Sequence, residues 1–97
     1  MKVEFHPEAE EELVRAVDWY EDVEPGLGQD FALEVHAAVR AIASFPTAWP
    51  VLDGDIRRCL TNRFPYGLLF STEKSKVLVL AVMHLHRKPD YWKDRRR

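Results

Sequence analysis

His84 and the arginines near it are the residues best suited to chemistry in this chain. A histidine titrates near neutral pH, so His84 could move a proton during phosphodiester cleavage. Guanidinium groups can clamp phosphate oxygens in a two-pronged fashion, and Arg63 and Arg87 both lie beyond the ends of predicted strands. If those strands form hairpins, the two arginines need not be far apart. A solvated polar face would show the same residues, and the sequence leaves both interpretations open.

A second group of residues could bind a charged target. Basic side chains alternate here with aromatic rings, which can stack on splayed bases. The candidates for binding a target or a nucleic acid are Arg57, Arg58, Lys88, Trp92 and Lys93. The last residues, Arg95–Arg97, are expected to form a frayed, solvated tail.

Other kinds of site are not expected. His84 and His86 alternate along a strand and share a face, but a metal site needs a third ligand, so no metal site is predicted. Gly26 and Gly28 lie between predicted helices, so they do not form a phosphate-binding loop after a strand. No serine or cysteine stands in an obvious nucleophilic arrangement, and we expect no cofactor.

The size and composition of the chain limit its class. With 97 residues, 46% of them apolar and 31% charged, the sequence predicts one globular domain over residues 1–97. No apolar run approaches the roughly 18–20 residues that cross a bilayer, and the N-terminus lacks the layout of an export signal. Cys59 is the only cysteine, which excludes an internal disulfide. We expect a cytoplasmic protein that does not associate with membranes.

Charge is divided unevenly along the chain. Residues 1–50 contain 3 Lys and Arg against 11 Asp and Glu, whereas residues 51–97 contain 11 against 5. The second half could therefore bind an acidic partner. Mutual attraction of the two halves within the fold is an equally good explanation.

Hydrophobic periodicity predicts the elements that would position these residues. Helices are expected at Pro7–Val23 and Gly28–Phe45, and the short link rich in Gly and Pro indicates an antiparallel helical hairpin. Residues 46–54 are interpreted as a loop. Strands are expected at Lys2–His6, Asp55–Leu60, Tyr66–Ser71 and Lys76–Leu85.

The predicted fold is α+β, in the order β-α-α-β-β-β. The helical hairpin is expected to pack on one face of a mainly antiparallel four-stranded sheet. Val77–Met83 is apolar at every position, which is typical of a central strand buried on both faces. The periodicity does not indicate which sheet edge the first strand joins.

Three segments of the chain resemble the RelE/ParE superfamily of bacterial toxins: residues 57–70, 77–83 and 84–92. The most specific parts are Arg-Phe-Pro-Tyr at residues 63–66 and the pattern His-x-x-Arg-x-Pro-x-x-Trp at residues 84–92. Trp19, Tyr20 and Phe31 on the helices are similar to the same family, so the resemblance covers nearly the whole chain. It implies the toxin half of a type II toxin–antitoxin pair, of the kind often described as plasmid-stabilisation proteins.

The resemblance implies two different activities. RelE-like members cut mRNA inside the ribosome, whereas ParE-like members inhibit DNA gyrase and are not nucleases. The nuclease branch carries an arginine directly after the tyrosine that enters the middle strand, where this chain has Gly67. We therefore favour a ParE-like growth inhibitor.

In the RelE-like alternative the protein is an enzyme, and its catalytic residues would be Arg63, His84, Arg87 and Tyr91. A non-toxic binding module that reuses the fold is a third interpretation, so whether the protein is an enzyme stays open.

The resemblance also implies protein partners. These are a cognate antitoxin, bound in a hetero-oligomer, and a target that is either gyrase or the ribosome with its mRNA. Because Val77–Met83 needs cover on both faces and the tail is short, we predict that an antitoxin segment lies across the face of the sheet away from the helices.

Overall fold

The chain folds as two helices against one sheet, followed by a short 3₁₀ helix. The structure, a computed structural model, describes residues 1–96, apart from the side chain of Arg96. The helices are α1 (Pro7–Val23) and α2 (Leu27–Ser44). The strands are β1 (Lys2–Phe5), β2 (Val51–Asp53), β3 (Ile56–Leu60), β4 (Tyr66–Glu73) and β5 (Lys76–His84), and the 3₁₀ helix is Lys93–Arg96. No helix within residues 1–96 is both long and apolar enough to cross a membrane.

The five strands form one sheet in the order β1-β5-β4-β3-β2. Strands β2 to β5 pair antiparallel, as short connections between consecutive strands favour. Strand β1 pairs with β5 in parallel, from Lys2 opposite Lys76 to Phe5 opposite Val79. Since β1 ends there, the edge of β5 beyond Val79 has no strand partner among the described residues.

Local chemistry fixes the ends of the helical hairpin. Pro7 occupies the first turn of α1, where its missing N–H costs nothing, and His6 Nδ1 accepts a hydrogen bond from Glu8 N at 3.1 Å. Gly26 precedes α2 with a φ of 92°, a left-handed conformation that favours glycine. Gly28 lies so close to the backbone of Val17 that a side chain at residue 28 would not fit.

The hairpin covers one face of the sheet. The core on this face combines the apolar stripes of both helices with alternate residues of the strands. Aromatic rings gather at its centre, where the ring of Tyr20 lies 5.2 Å from that of Phe31 and 4.8 Å from that of Phe64. The fully buried members include Ala9, Phe31, Ile42, Leu68, Phe70, Val77 and Val79.

A smaller core lies on the opposite face, and the C-terminal segment covers it. Trp92 is only 3% exposed and packs in the same cluster as Leu69, Leu80 and Met83. The indole N–H of Trp92 donates to Pro89 O at 2.7 Å, which satisfies the polar atom of the buried ring. The apolar strand therefore obtains its second cover from its own chain.

The predicted fold class is confirmed, with corrections in detail. The sheet has five strands instead of four, because residues 51–53, interpreted as loop, pair with β3 as an edge strand. The prediction of a solvated tail is wrong for Arg95, which is 9% exposed. Arg97 lies outside the described residues.

Candidate target-binding cleft

A cleft opens beside the unpaired edge of β5, between that strand and α1. Its volume is about 150 Å³. Helix α1 contributes one wall, and the ends of β4 and β5 contribute the other. The lining residues are Glu12, Arg15, Ala16, Trp19, Tyr66, Val82, His84 and Arg87.

A buried ion pair closes the floor of this cleft. Glu12 Oε1 accepts from Val82 N at 3.0 Å, and Arg95 Nη1 donates to Leu80 O at 3.1 Å, so the two side chains satisfy the strand edge that β1 leaves open. Arg95 also donates to both carboxylate oxygens of Glu12, at 2.8 and 3.0 Å. Glu12 is 6% exposed, and its carboxylate is committed to structure.

Arg87 forms the basic lip of the cleft. Its guanidinium stacks 4.0 Å from the ring centroid of Tyr91, and Nη1 lies 3.9 Å from Glu12 Oε2. The Arg87 side chain is 51% exposed, so its remaining donors face solvent. The chain turns after β5, and Arg87 N donates to His84 O at 3.0 Å. Both side chains consequently line the cleft.

The histidine and tyrosine rings of the cleft pack on one another. The His84 ring lies 5.2 Å from that of Tyr66, edge to face. His84 Nδ1 accepts a hydrogen bond from His86 N at 3.1 Å. Burial, together with the nearby Tyr20 and Glu12, raises the pKa of Tyr66 above its usual range.

Trp19 stands at the rim of the cleft with most of its ring in solvent. It is 62% exposed, and its ring centroid lies 5.1 Å from that of Tyr20. Tryptophan and arginine are among the residue types enriched in protein-binding hot spots. The arrangement can hold a partner that offers an acidic group to Arg87 and an apolar surface to Trp19.

The residues predicted for catalysis are only partly brought together. His84 and Arg87 share the cleft, and Tyr91 lies under Arg87. Arg63 instead pairs with Asp30 at 3.6 Å. Burial and the neighbouring Glu12 raise the pKa of Tyr91 well above its usual range.

The residues predicted for binding fall in several places. Arg57 donates to Trp49 O at 2.6 Å, and Lys93 pairs with Asp53 at 3.1 Å. Lys88 is exposed, whereas Trp92 belongs to the core. Arg58 is half-buried on the sheet face away from the helices. No group of three or more His, Cys, Asp or Glu side chains in the described part of the chain could hold a metal ion.

Sequence reasoning missed the contribution of α1 to the cleft. Glu12 falls on the buried stripe of the helix with Ala9, Ala16 and Tyr20, and a carboxylate at that spacing signals a buried partner. Trp19 lies off the stripe, which predicts an exposed ring.

Comparison with known proteins gives a family and a fold. The family model described as "ParE toxin of type II toxin-antitoxin system, parDE" matches residues 3–89. A solved structure titled "Chromosomal ParDE TA system from P. aeruginosa" is similar with a TM-score of 0.78 and 14% sequence identity. The match covers 89% of this chain and 97% of that chain. Comparison with curated proteins gives no match.

Proposed function

This chain belongs to the ParE toxin family of type II toxin–antitoxin systems, and on that premise we propose that it arrests growth by binding DNA gyrase, without cutting RNA. It is the toxin component of such a system. We further propose that it acts in the cytoplasm and is held inactive there in a hetero-oligomer with a cognate antitoxin.

The geometry of the cleft supports binding over catalysis. Cleavage of RNA by its own 2′-hydroxyl needs a base, an acid and cations at the phosphate, all within reach of one bond. Here Arg63 is paired with Asp30, and Gly67 provides no side chain. Of the four residues predicted for catalysis, only His84 and Arg87 line the cleft.

The observation that carries the proposal is the exposed pair formed by Trp19 and Arg87 on the two walls of the cleft. A protein-binding site needs no catalytic groups. It needs an apolar side chain that the partner can cover and a charged side chain that fixes the partner's orientation. Both are present, and Arg87 is held in place by the Tyr91 ring below it. The cleft therefore suits a protein surface with an acidic side chain next to an apolar one.

The experiment is induced expression of the toxin without its antitoxin. We expect growth arrest with a DNA-damage response, as stalled gyrase would cause, while cellular mRNA stays intact. Arrest with fragmented mRNA and no DNA-damage response would contradict the proposal and favour the ribonuclease alternative.

A further inference from the structure

Tyr91 contacts two arginines, one exposed at the cleft and one buried beneath it. Its ring centroid lies 4.0 Å from the guanidinium carbon of Arg87 and 4.8 Å from that of Arg95. A guanidinium at such a distance is attracted by the electron-rich face of an aromatic ring. The Tyr91 ring is itself half-buried and packs against the second core, which includes Trp92. The fold therefore holds this ring in place, and the ring can hold a more exposed side chain.

The Arg87 side chain depends on this ring for its direction. Arg87 lies in the turn after β5, and about half of its side chain is exposed. Its Nη1 atom lies 3.9 Å from Glu12 Oε2, which is too far for a hydrogen bond. The Glu12 carboxylate already accepts hydrogen bonds from Arg95 and from Val82 N. The contact with the Tyr91 ring is therefore the one that orients the Arg87 guanidinium.

Arg95 connects the Tyr91 ring to helix α1. The Arg95 guanidinium donates to both carboxylate oxygens of Glu12, at 2.8 and 3.0 Å, and the residue is buried. Trp19 lies further along the same helix and lines the cleft opposite Arg87. The buried ion pair and the ring together therefore fix the place of Arg87 relative to Trp19.

A fixed separation between these two side chains favours binding. An arginine side chain loses much of its rotational freedom when a partner immobilises it, and this loss weakens the complex. A side chain that is already held in its bound orientation loses less freedom. Such preorganisation strengthens binding without adding a contact to the partner.

We propose that Tyr91 is a positioning residue for target binding. Its ring, held on α1 through Arg95 and Glu12, keeps the Arg87 guanidinium at the distance from Trp19 that the target requires. This deepens the proposed function and rests on it, because the acidic and apolar groups that meet the two side chains belong to the proposed target. The aromatic face performs the role, so the Tyr91 hydroxyl is not required.

The test measures how strongly purified variants inhibit supercoiling by purified DNA gyrase. Tyr91→Phe keeps the ring and should inhibit within twofold of wild type. Tyr91→Leu stays apolar but loses the aromatic face, and it should inhibit about fivefold less. Arg40→Ala, an exposed arginine on α2, is the control and should inhibit as wild type does. Thermal melting of each variant shows that it is folded.

A double-mutant comparison separates positioning from a general effect on structure. In the Arg87→Ala background, Tyr91→Leu should cause no further loss of inhibition, because no guanidinium is left for the ring to hold. An equal loss with and without Arg87 would overturn the proposal, and so would full inhibition by Tyr91→Leu. A loss in Tyr91→Phe as large as in Tyr91→Leu would assign the effect to the hydroxyl and overturn it too.

NMR spectra of the free toxin test the positioning without any target. The Tyr91 ring current should shift the Nε–H resonance of Arg87, and this shift should persist in Tyr91→Phe and disappear in Tyr91→Leu. An unshifted resonance in the wild type would overturn the positioning role. If the resonance is shifted but wild type does not inhibit gyrase, the proposed target is contradicted, and the same order of variants is expected in growth arrest of cells.

Discussion

Arg87 is held in place by its neighbours, yet about half of its side chain stays exposed to a partner. Its guanidinium is supported from below by the ring of Tyr91 and approaches Glu12 only at 3.9 Å. The contact with Glu12 is long and half-exposed, and pairs of this kind contribute at most about 1 kcal/mol to folding. The position of Arg87 at the lip of the cleft is therefore better explained by binding than by stability.

We expect Arg87→Ala to abolish most of the growth inhibition while the protein stays folded and still binds its antitoxin. The substitution removes the positive charge at the edge of the cleft, whereas the buried ion pair between Glu12 and Arg95 stays intact. Toxicity and thermal melting of this variant are compared with wild type and with Arg40→Ala, the exposed α2 arginine. Full toxicity in a folded Arg87→Ala protein would exclude the role.

At the level of elements, the Glu12–Arg95 pair replaces a missing strand. Strand β1 ends opposite Val79, and the two side chains satisfy Val82 N and Leu80 O beyond that point. They also tie the C-terminal 3₁₀ helix to α1, which holds Trp92 over the second core.

Removing Arg95 should therefore destabilise the whole fold. Arg95→Ala leaves the Glu12 carboxylate buried without its partner, and we expect a loss of about 3–5 kcal/mol in the free energy of unfolding, measured with urea. Arg15→Ala, which breaks only an exposed pair with Glu11 at 3.5 Å, should cost less than about 1 kcal/mol. Equal, small losses in both variants would show that the pair does not support the edge.

The elements that sequence reasoning predicted well are those specified by local pattern. Helix α1 has the predicted bounds, because Pro7 fixes its start and the segment rich in Gly and Pro follows its end. Strand β2 was missed because its three residues are all exposed and form a strand only by pairing with β3. The Glu12–Arg95 pair was missed for a similar reason, since the two residues are 83 positions apart.

The candidate site was predicted in part for the same physical reason. His84 and Arg87 lie close together in sequence, and a turn brings them into one cleft. The α1 residues that complete the cleft join it only through helix packing on β5, which no local pattern encodes. The antitoxin segment predicted across the open sheet face stays a prediction, although Trp92 already covers much of that face.

On the scale of the whole molecule, two surfaces lie on different sides of one sheet. The cleft with Trp19 and Arg87 opens on the helical side, and a second cavity, lined by Arg58, Met83 and Trp92 among others, opens on the other. Because the cleft lies on the helical side, substitutions of Trp19 and Arg87 should reduce toxicity without disturbing the core under Trp92.

The most direct test of the central claim is the supercoiling of relaxed plasmid by purified DNA gyrase in the presence of the purified toxin. The account predicts that wild type inhibits supercoiling, that Trp19→Ala and Arg87→Ala inhibit it at least tenfold less, and that mRNA on translating ribosomes stays uncut at the same concentration. Undisturbed supercoiling together with cleavage of ribosome-bound mRNA would contradict it.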